Sequence, residues 1–435
     1  MLVFVHLFIV LAALFVGSRF GSLALAAISG IALAILVMGF GLTPGNPPTD
    51  VIFIIVAAVT CAGMLQAAGG MDWLIRQAEK LLRKHPSSIT LLAPFCAFFL
   101  TVLVGTGHVI YTLMPIIVDV ALKNGIRPER PCAVASVASQ VGITCSPIAA
   151  AVVSFVVISG ENGFDITVPQ VIMVTLPSCF IGVLVAALCS LRRGKDLDKD
   201  PEFLAKMASA EQRAYINGES STLLDSTTSG RAGKSVAIFF AGIVAIVLLG
   251  AFGNKAVNMS IMIQIVMLVA AALMILVCKA DPIKAVNGKV WQNGMVAVVA
   301  IYGIAWMSDT FVSNNIEVIQ SALGGFLTSY PWAIALVFFA VSVMINSQGA
   351  TVVAILPLAY SLGVPGYILL GALPSVYGYF FIPNYPSDIA TVNFDRSGTT
   401  RIGKYLINNS FMMPGLVSVS VSTIVGIIMA TLLFK

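Results

Sequence analysis

Charge is what this sequence has least of. Asp, Glu, Lys and Arg make up 10% of its 435 residues, against about 25% in an ordinary soluble domain. With 58% hydrophobic residues, the chain falls in the membrane class before any motif is read. Histidine is also scarce, with three in all. Neither an HExxH motif nor a paired-carboxylate constellation occurs, so the chain reads as a non-enzyme. Cys61, Cys96, Cys132, Cys145, Cys179, Cys189 and Cys278 show no CxxC spacing, and their apolar surroundings suit buried free thiols. Gly233-Lys234-Ser235 ends like a phosphate loop, but Thr228 stands where the first glycine is needed. Met1 to Phe15 has no basic n-region and no small-residue cleavage site, which reads as a retained first span.

What is present is a series of long apolar runs. A hydrocarbon core takes about 20 apolar residues per helix. Candidate spans are 2–17, 21–42, 51–70, 168–191, 235–252, 259–278, 290–308 and 411–434. A polar stretch, 192–234, divides the chain and reads as a solvated linker. Its basic residues are balanced by Asp196, Asp198, Asp200, Glu202, Glu211, Glu219 and Asp225, so no nucleic-acid partner is expected. With this linker in the cytoplasm, threading outward puts every Lys and Arg inside except Lys255 and Lys435. Asp50, Glu161, Asp165, Asp309 and Glu317 fall outside. That is a positive-inside pattern, and it predicts a bacterial inner-membrane protein with both termini periplasmic.

The threading requires two apolar stretches that enter and return on one side. They are 88–123, broken at Gly105-Thr106-Gly107, and 332–363, broken at Asn346-Ser347-Gln348-Gly349. Pro115 and Pro357 stand at matching places, and His85-Pro86 and Tyr330-Pro331 precede the two stretches. Amphipathic segments starting at Met71 and Asn315 come before these. Each hairpin is followed by a proline-broken span, 131–159 with Thr144-Cys145-Ser146-Pro147, and 366–394 with Pro383-Asn384-Tyr385-Pro386-Ser387-Asp388. The expected fold is thus an all-α polytopic membrane protein with an inverted-topology repeat, two re-entrant hairpins and two broken transmembrane helices. Residues 1–191 form the first repeat and 235–435 the second.

Irregular backbone at membrane depth is tolerated only where protein buries it or an aqueous cavity receives it. New helices are expected near His108, Pro147, Ala350 and Pro386, and helix N-termini attract anions without a buried Lys or Arg. Ser146 before Pro147 fits an N-cap with proline at the first helical position. Candidate substrate-binding residues are Gly105, Thr106, Gly107, His108, Thr112, Thr144, Ser146, Asn346, Ser347, Gln348, Gly349, Thr351, Asn384, Tyr385 and Ser387. Close helix packing also favours Gly, Ser and Thr, so the four tips count together rather than singly. Asp388 just past the last tip is the ionisable residue to explain. It either helps bind a coupling cation, Na⁺ or H⁺, or only caps its half-helix. His108 could be a pH-sensitive anion ligand or an ordinary hydrogen-bonding residue. Asp119 lies about 16 Å along the helix from its tip and is expected to be structural.

Several runs carry a resemblance. They are Ala67-Ala68-Gly69-Gly70-Met71-Asp72-Trp73-Leu74, Glu79-Lys80-Leu81-Leu82-Arg83, Gly105-Thr106-Gly107, Ile143-Thr144-Cys145-Ser146-Pro147-Ile148, Asp309-Thr310-Phe311-Val312-Ser313-Asn314-Asn315 and Ser397-Gly398-Thr399-Thr400-Arg401-Ile402-Gly403-Lys404. Together they make the chain similar, from first span to last, to the anaerobic C4-dicarboxylate (Dcu) transporters. The resemblance implies exchange, uptake or efflux of fumarate, succinate, malate and aspartate, without an organic cofactor. It also implies a homodimer in the lipid bilayer whose transport domain moves against a scaffold. Where that family carries an apolar residue, this chain has Asp388, which leaves open plain exchange or cation symport. Three rivals remain. A channel would show no saturable counterflow. A cation/proton antiporter would bind no dicarboxylate. A sensor partner would depend on the linker.

Overall fold

A chain in hydrocarbon must satisfy its own backbone N–H and C=O groups, and the helix does so within one segment. The computed structural model describes residues 2–20, 22–218, 222, 224, 230–252, 259–319, 327, 329–383, 385–403 and 408–435. Among the described residues the regular structure is helical and no strand occurs. The segments long and apolar enough to cross a membrane are Thr49–Ala67, Pro86–Val104, Glu129–Glu161, Val168–Ser190, Ile261–Cys278, Lys289–Asn315 and Met412–Phe434. The expected spans at 2–17, 21–42 and 235–252 are helical as well, as α1 (Leu2–Arg19), α2 (Ser22–Ala34) and the later helix Gly230–Phe252.

Next come α3 (Thr49–Ala67), α4 (Gly70–Lys84), α5 (Ile89–Val104), α6 (Ile110–Lys123), α7 (Glu129–Val141), α8 (Ala150–Glu161) and α9 (Val168–Ser190). Two short helices follow, α10 (Pro201–Ala208) and α11 (Ala210–Ile216). The second part holds α12 (Gly230–Phe252), α13 (Met259–Cys278), α14 (Pro282–Val286), α15 (Lys289–Ile319), α16 (Ile334–Ile345) and α17 (Gln348–Ser361). It ends with α18 (Gly366–Ala372), α19 (Pro386–Phe394) and α20 (Met412–Phe434). Gly233-Lys234-Ser235 lies inside α12, so it forms no phosphate loop.

Two packing groups emerge. In one, α2 and α3 pack on α15, α1 on α2, and α13 on α3 and α12. In the other, α9 packs along α20, α5 along α7, and α18 against α20. Small residues make the close approaches: Gly182 of α9 meets Ser418 and Ser422 of α20, and Gly371 meets Gly426. Such seams let helix backbones approach where lipid offers no hydrophobic drive for association. The groups meet where α15 touches α17 and α3 touches α8.

The segment at Met71 is amphipathic as expected. Met71, Leu74, Ile75, Ala78 and Leu82 line the buried face of α4, with Lys80 and Lys84 exposed. Of the segment starting at Asn315, residues 315–319 continue α15, and residues 320–326 and 328 lie outside the described residues. Asn315 is buried there, bonded to Phe311 O at 2.7 Å and to His6 Nδ1 at 3.1 Å, so tertiary contacts prolong the helix.

The described part of the linker is mostly exposed, but its start is anchored by side chains. Arg127 bonds Glu129 at 2.8 Å and Asp200 at 2.5 Å, while Arg130 reaches Asp196 at 2.8 Å. Lys206 donates to Ser397 O at 2.9 Å, and Arg396 donates to Gly218 O at 2.6 Å. Burial alone would raise the Asp200 carboxyl. The Arg127 bond and the Phe203 and Glu202 amides hold it below its ordinary value instead. The start of the linker is therefore docked on the base of α7 and on the segment after α19.

Candidate functional site

Four helix breaks supply the polar groups. At the first, Gly105 takes the left-handed conformation (φ 80°) and its N–H closes on Thr101 O at 2.8 Å. This ends α5 as an αL cap. Thr106 then returns to extended backbone, and its hydroxyl accepts the His108 N–H at 3.4 Å. A 3₁₀ turn, Gly107–Val109, leads into α6. A Cβ on Gly105 would stand 2.7 Å from Ile148 Cγ1, so side-chain space is lacking as well as backbone freedom. At the break between α16 and α17, Asn346 takes the left-handed position (φ 57°) and Ser347 the extended one. The Ser347 hydroxyl accepts the Ala350 N–H at 3.4 Å.

The other two breaks lie in the proline-containing spans. α7 ends in a 3₁₀ turn, Gly142–Cys145, and α8 begins only at Ala150. Ser146 is therefore not an N-cap and Pro147 is not the first helical residue. They belong to a turn that Ala149 N–H closes on Ser146 O at 3.2 Å. Ser146 Oγ is buried without a hydrogen-bond partner. α18 passes through a 3₁₀ turn, Leu373–Val376, and an irregular run before Pro386 opens α19 at its first helical position. Asn384 lies outside the described residues.

These breaks meet at a cavity of about 690 Å³. Of the expected residues, Gly105, Thr106, His108, Asn346, Ser347, Gln348, Gly349 and Tyr385 line it. The facing wall is mostly apolar and small, with Ala58 and Ala62 from α3 and Gly294, Ala297 and Ala300 from α15. Among the described residues no Lys or Arg lines the cavity, although exposed Lys289 directly precedes Val290 of the wall. Helix N-terminal amides are then the positive groups nearest a ligand. A second cavity, of about 380 Å³, carries Asp50, Glu161 and Asp309 and no basic residue, a poor setting for an anion.

The remaining expected residues stand elsewhere. Thr112 is exposed on α6 and off the cavity, because its place on the helix faces outward. Thr144 is buried behind the second break, donating to Val141 O at 3.0 Å. Thr351 donates to Ser347 O at 2.8 Å, which spends its hydroxyl inside α17. Gly107 and Ser387 back onto Gln140 rather than onto the cavity. His108 stacks on Tyr111 with centroids 5.6 Å apart, and its Nδ1 is buried without a partner. Asp388 is 1% exposed and also off the cavity. Its Oδ1 accepts Ser136 Oγ at 2.8 Å, while Oδ2 has no partner. Asp119 is paired with Arg83 at 3.0 Å and Lys123 at 3.1 Å, a structural arrangement.

Sequence reading passed over Tyr379 and Asn293, which line the cavity, and Gln140 behind it. The signal available was a lone amide within an otherwise small and apolar stretch, as at Gln140 in Ala135 to Ile143.

Membrane-length helices arranged around a cavity walled by helix breaks define a multi-pass membrane transporter. Two solved transporters share the fold. One is Neisseria gonorrhoeae MtrF, described as illuminating a class of antimetabolite efflux pumps (TM-score 0.56, 12% identity, 93% of this chain and 84% of that one). The other is the Alcanivorax borkumensis YdaH transporter, described as having an unusual topology (TM-score 0.57, 13% identity, 87% and 85%). The chain belongs to the anaerobic C4-dicarboxylate membrane transporter family, whose family model matches residues 2–434. The anaerobic C4-dicarboxylate transporter DcuB of Escherichia coli O6:H1 is 45% identical over 99% of both chains. The C4-dicarboxylate transporter DcuA of Wolinella succinogenes is 36% identical over 100% of both.

Proposed function

We propose that this chain is a secondary carrier that moves fumarate, succinate, malate or aspartate across the bacterial inner membrane by alternating access. One observation carries the reading: a cavity with helix starts on one side, small apolar residues on the other and, among the described residues, no Lys or Arg. A dicarboxylate needs hydrogen-bond donors at each end and an apolar waist between, and it must leave as readily as it enters. Helix N-termini and the Thr106, Ser347 and Tyr385 hydroxyls offer such donors without the tight hold of a buried arginine.

In this reading α5–α6 and α16–α17 are re-entrant hairpins of an inverted repeat, 1–191 and 235–435, with the linker inside and both termini outside. The group holding the breaks slides in an elevator-type motion along the group built on α3 and α15, within a homodimer. Asp388 serves the coupling cation, Na⁺ or H⁺. It is supported by burial and by an oxygen without a partner, and its bond to Ser136 rather than to the amides of α19 argues against simple capping.

Counterflow in proteoliposomes tests this. Vesicles loaded with unlabelled succinate should accumulate labelled succinate, and unloaded vesicles should not unless a Na⁺ or proton gradient drives entry. Gradient-independent exchange would remove the coupling role from Asp388. No entry under any condition would sink the dicarboxylate reading and favour the antiporter.

A further inference from the structure

Gln140 lines no part of the cavity, yet it touches every one of the four breaks. It is the penultimate residue of α7, directly before the second break. Its backbone carbonyl accepts Gln348 Nε2 from the start of α17 at 2.7 Å. Its side-chain Oε1 accepts the Tyr379 hydroxyl at 2.8 Å, and its Nε2 lies 3.4 Å from Ser387 Oγ in the first turn of α19. The first break leans on the same amide: a Cβ at Gly107 would stand 2.8 Å from Gln140 Cδ and 3.0 Å from Oε1. The orientation of the amide is settled by its neighbours. Tyr379 OH also receives Gln348 Nε2 at 3.3 Å, so its own proton is free to go to an acceptor, which Gln140 Oε1 supplies. The residue is 1% exposed, so water cannot replace any of these bonds.

We infer that Gln140 is a positioning residue for transport, holding the four breaks at the spacing that substrate binding requires. This rests on the functional reading above. Gln348 and Tyr379 line the cavity, and Gln140 anchors the side chain of each. A side chain at Gly107 would have to displace the Gln140 amide, which occupies that space. Loss of the Gln140 amide frees Tyr379 and the first break together, while deleting no cavity-lining side chain. The expected signature is weaker binding with turnover preserved.

The experiment compares Gln140→Met, which keeps length and removes both hydrogen bonds, with Tyr379→Phe, Gly107→Ala and the double variant Gly107→Ala with Gln140→Ala. Counterflow should show KM for succinate raised about tenfold in Gln140→Met with Vmax near wild type, and raised less in Tyr379→Phe. Gly107→Ala should be inactive and melt early, and adding Gln140→Ala should restore stability and turnover by vacating the space, with KM still raised as in Gln140→Met. A wild-type KM in Gln140→Met, or a Gly107→Ala defect equal in both backgrounds, overturns the inference. If Gln140→Met does not fold, the KM of Ser387→Ala decides the same point, because Ser387 contacts the Gln140 amide and stands off the cavity. A wild-type chain that exchanges no dicarboxylate would defeat the functional reading alone. The melting cycle reads the interlock of Gly107 and Gln140 without any substrate.

Discussion

The breaks at Gly105-Thr106 and Asn346-Ser347 are built on one backbone from different residues. Each is approached through a residue with nearly the same angles, His85 (φ −128°, ψ 60°) and Tyr330 (φ −132°, ψ 67°), followed by a 3₁₀ turn that opens on proline. Each first helix ends on a left-handed residue, and each second helix starts on an extended hydroxyl residue that caps it. Yet Thr106 is nine residues before Pro115 and Ser347 is ten before Pro357. The 3₁₀ turn Gly107–Val109, found only after the first break, resolves this mismatch. A 3₁₀ residue rises about 2.0 Å and an α residue about 1.5 Å, so both prolines stand about 15 Å from their tips. What recurs is the geometry of the break. What differs is the wall each tip meets: the first lies against Ile148 and Gln140, leaving no room for a side chain, while the second carries amides of its own.

This contrast can be broken by substitution. The largest effect is expected from Gly105→Ala, which combines a left-handed L-residue with the Ile148 contact. It should cost about 2 kcal/mol and abolish counterflow, whereas Asn346→Gly should stay within about 0.5 kcal/mol of wild type. Equal melting shifts in the two would show that the tips are not distinguished by crowding. Next, Gln348→Ala removes the side-chain donor to the buried Gln140 carbonyl and leaves it the backbone N–H at the end of α7, with an expected loss of about 1 kcal/mol in thermal unfolding. An unchanged melting curve would mean the carbonyl finds another donor. Smaller again are the caps: Thr106→Val and Ser347→Ala should each cost about 0.5–1 kcal/mol, since both bonds are long. A markedly larger loss at one tip would show that its hydroxyl does more than cap.

The smallest effect on transport is expected at the linker, far from both tips. Asp200→Asn should leave KM unchanged and increase tryptic cleavage within 201–216. Acid should act likewise. The Asp200 carboxyl is held below its ordinary value, so its contribution is present above the ordinary carboxyl range and lost as pH falls through the lowered one. Protection of that segment that is indifferent to pH would argue against the Arg127 bond as the clamp.

Much of this was legible beforehand. The apolar runs, the breaks at Gly105 and Asn346 and the family follow from local composition and short motifs. Other features were not. Ser146-Pro147 has the look of a helix start, but the chain there forms a turn, because the 3₁₀ end of α7 and the packing of Ile148 on Gly105 delay the helix to Ala150. The linker reads as solvated and its described residues are mostly exposed, but the composition did not show that Arg127 and Arg130 pin its start through Asp200 and Asp196.

The sequence by itself determined that the chain is helical, spans a membrane and interrupts its helices with polar, glycine-bearing and proline-bearing tips. Those properties depend on residues within a few positions of one another. Only the tertiary structure decided that the tips share a cavity, that Thr112 and Asp388 stay off it, and that Gln140 ties the four breaks together. Those facts depend on contacts spanning 208, 239 and 247 positions of chain, and no local pattern specifies which distant surface a helix end will meet.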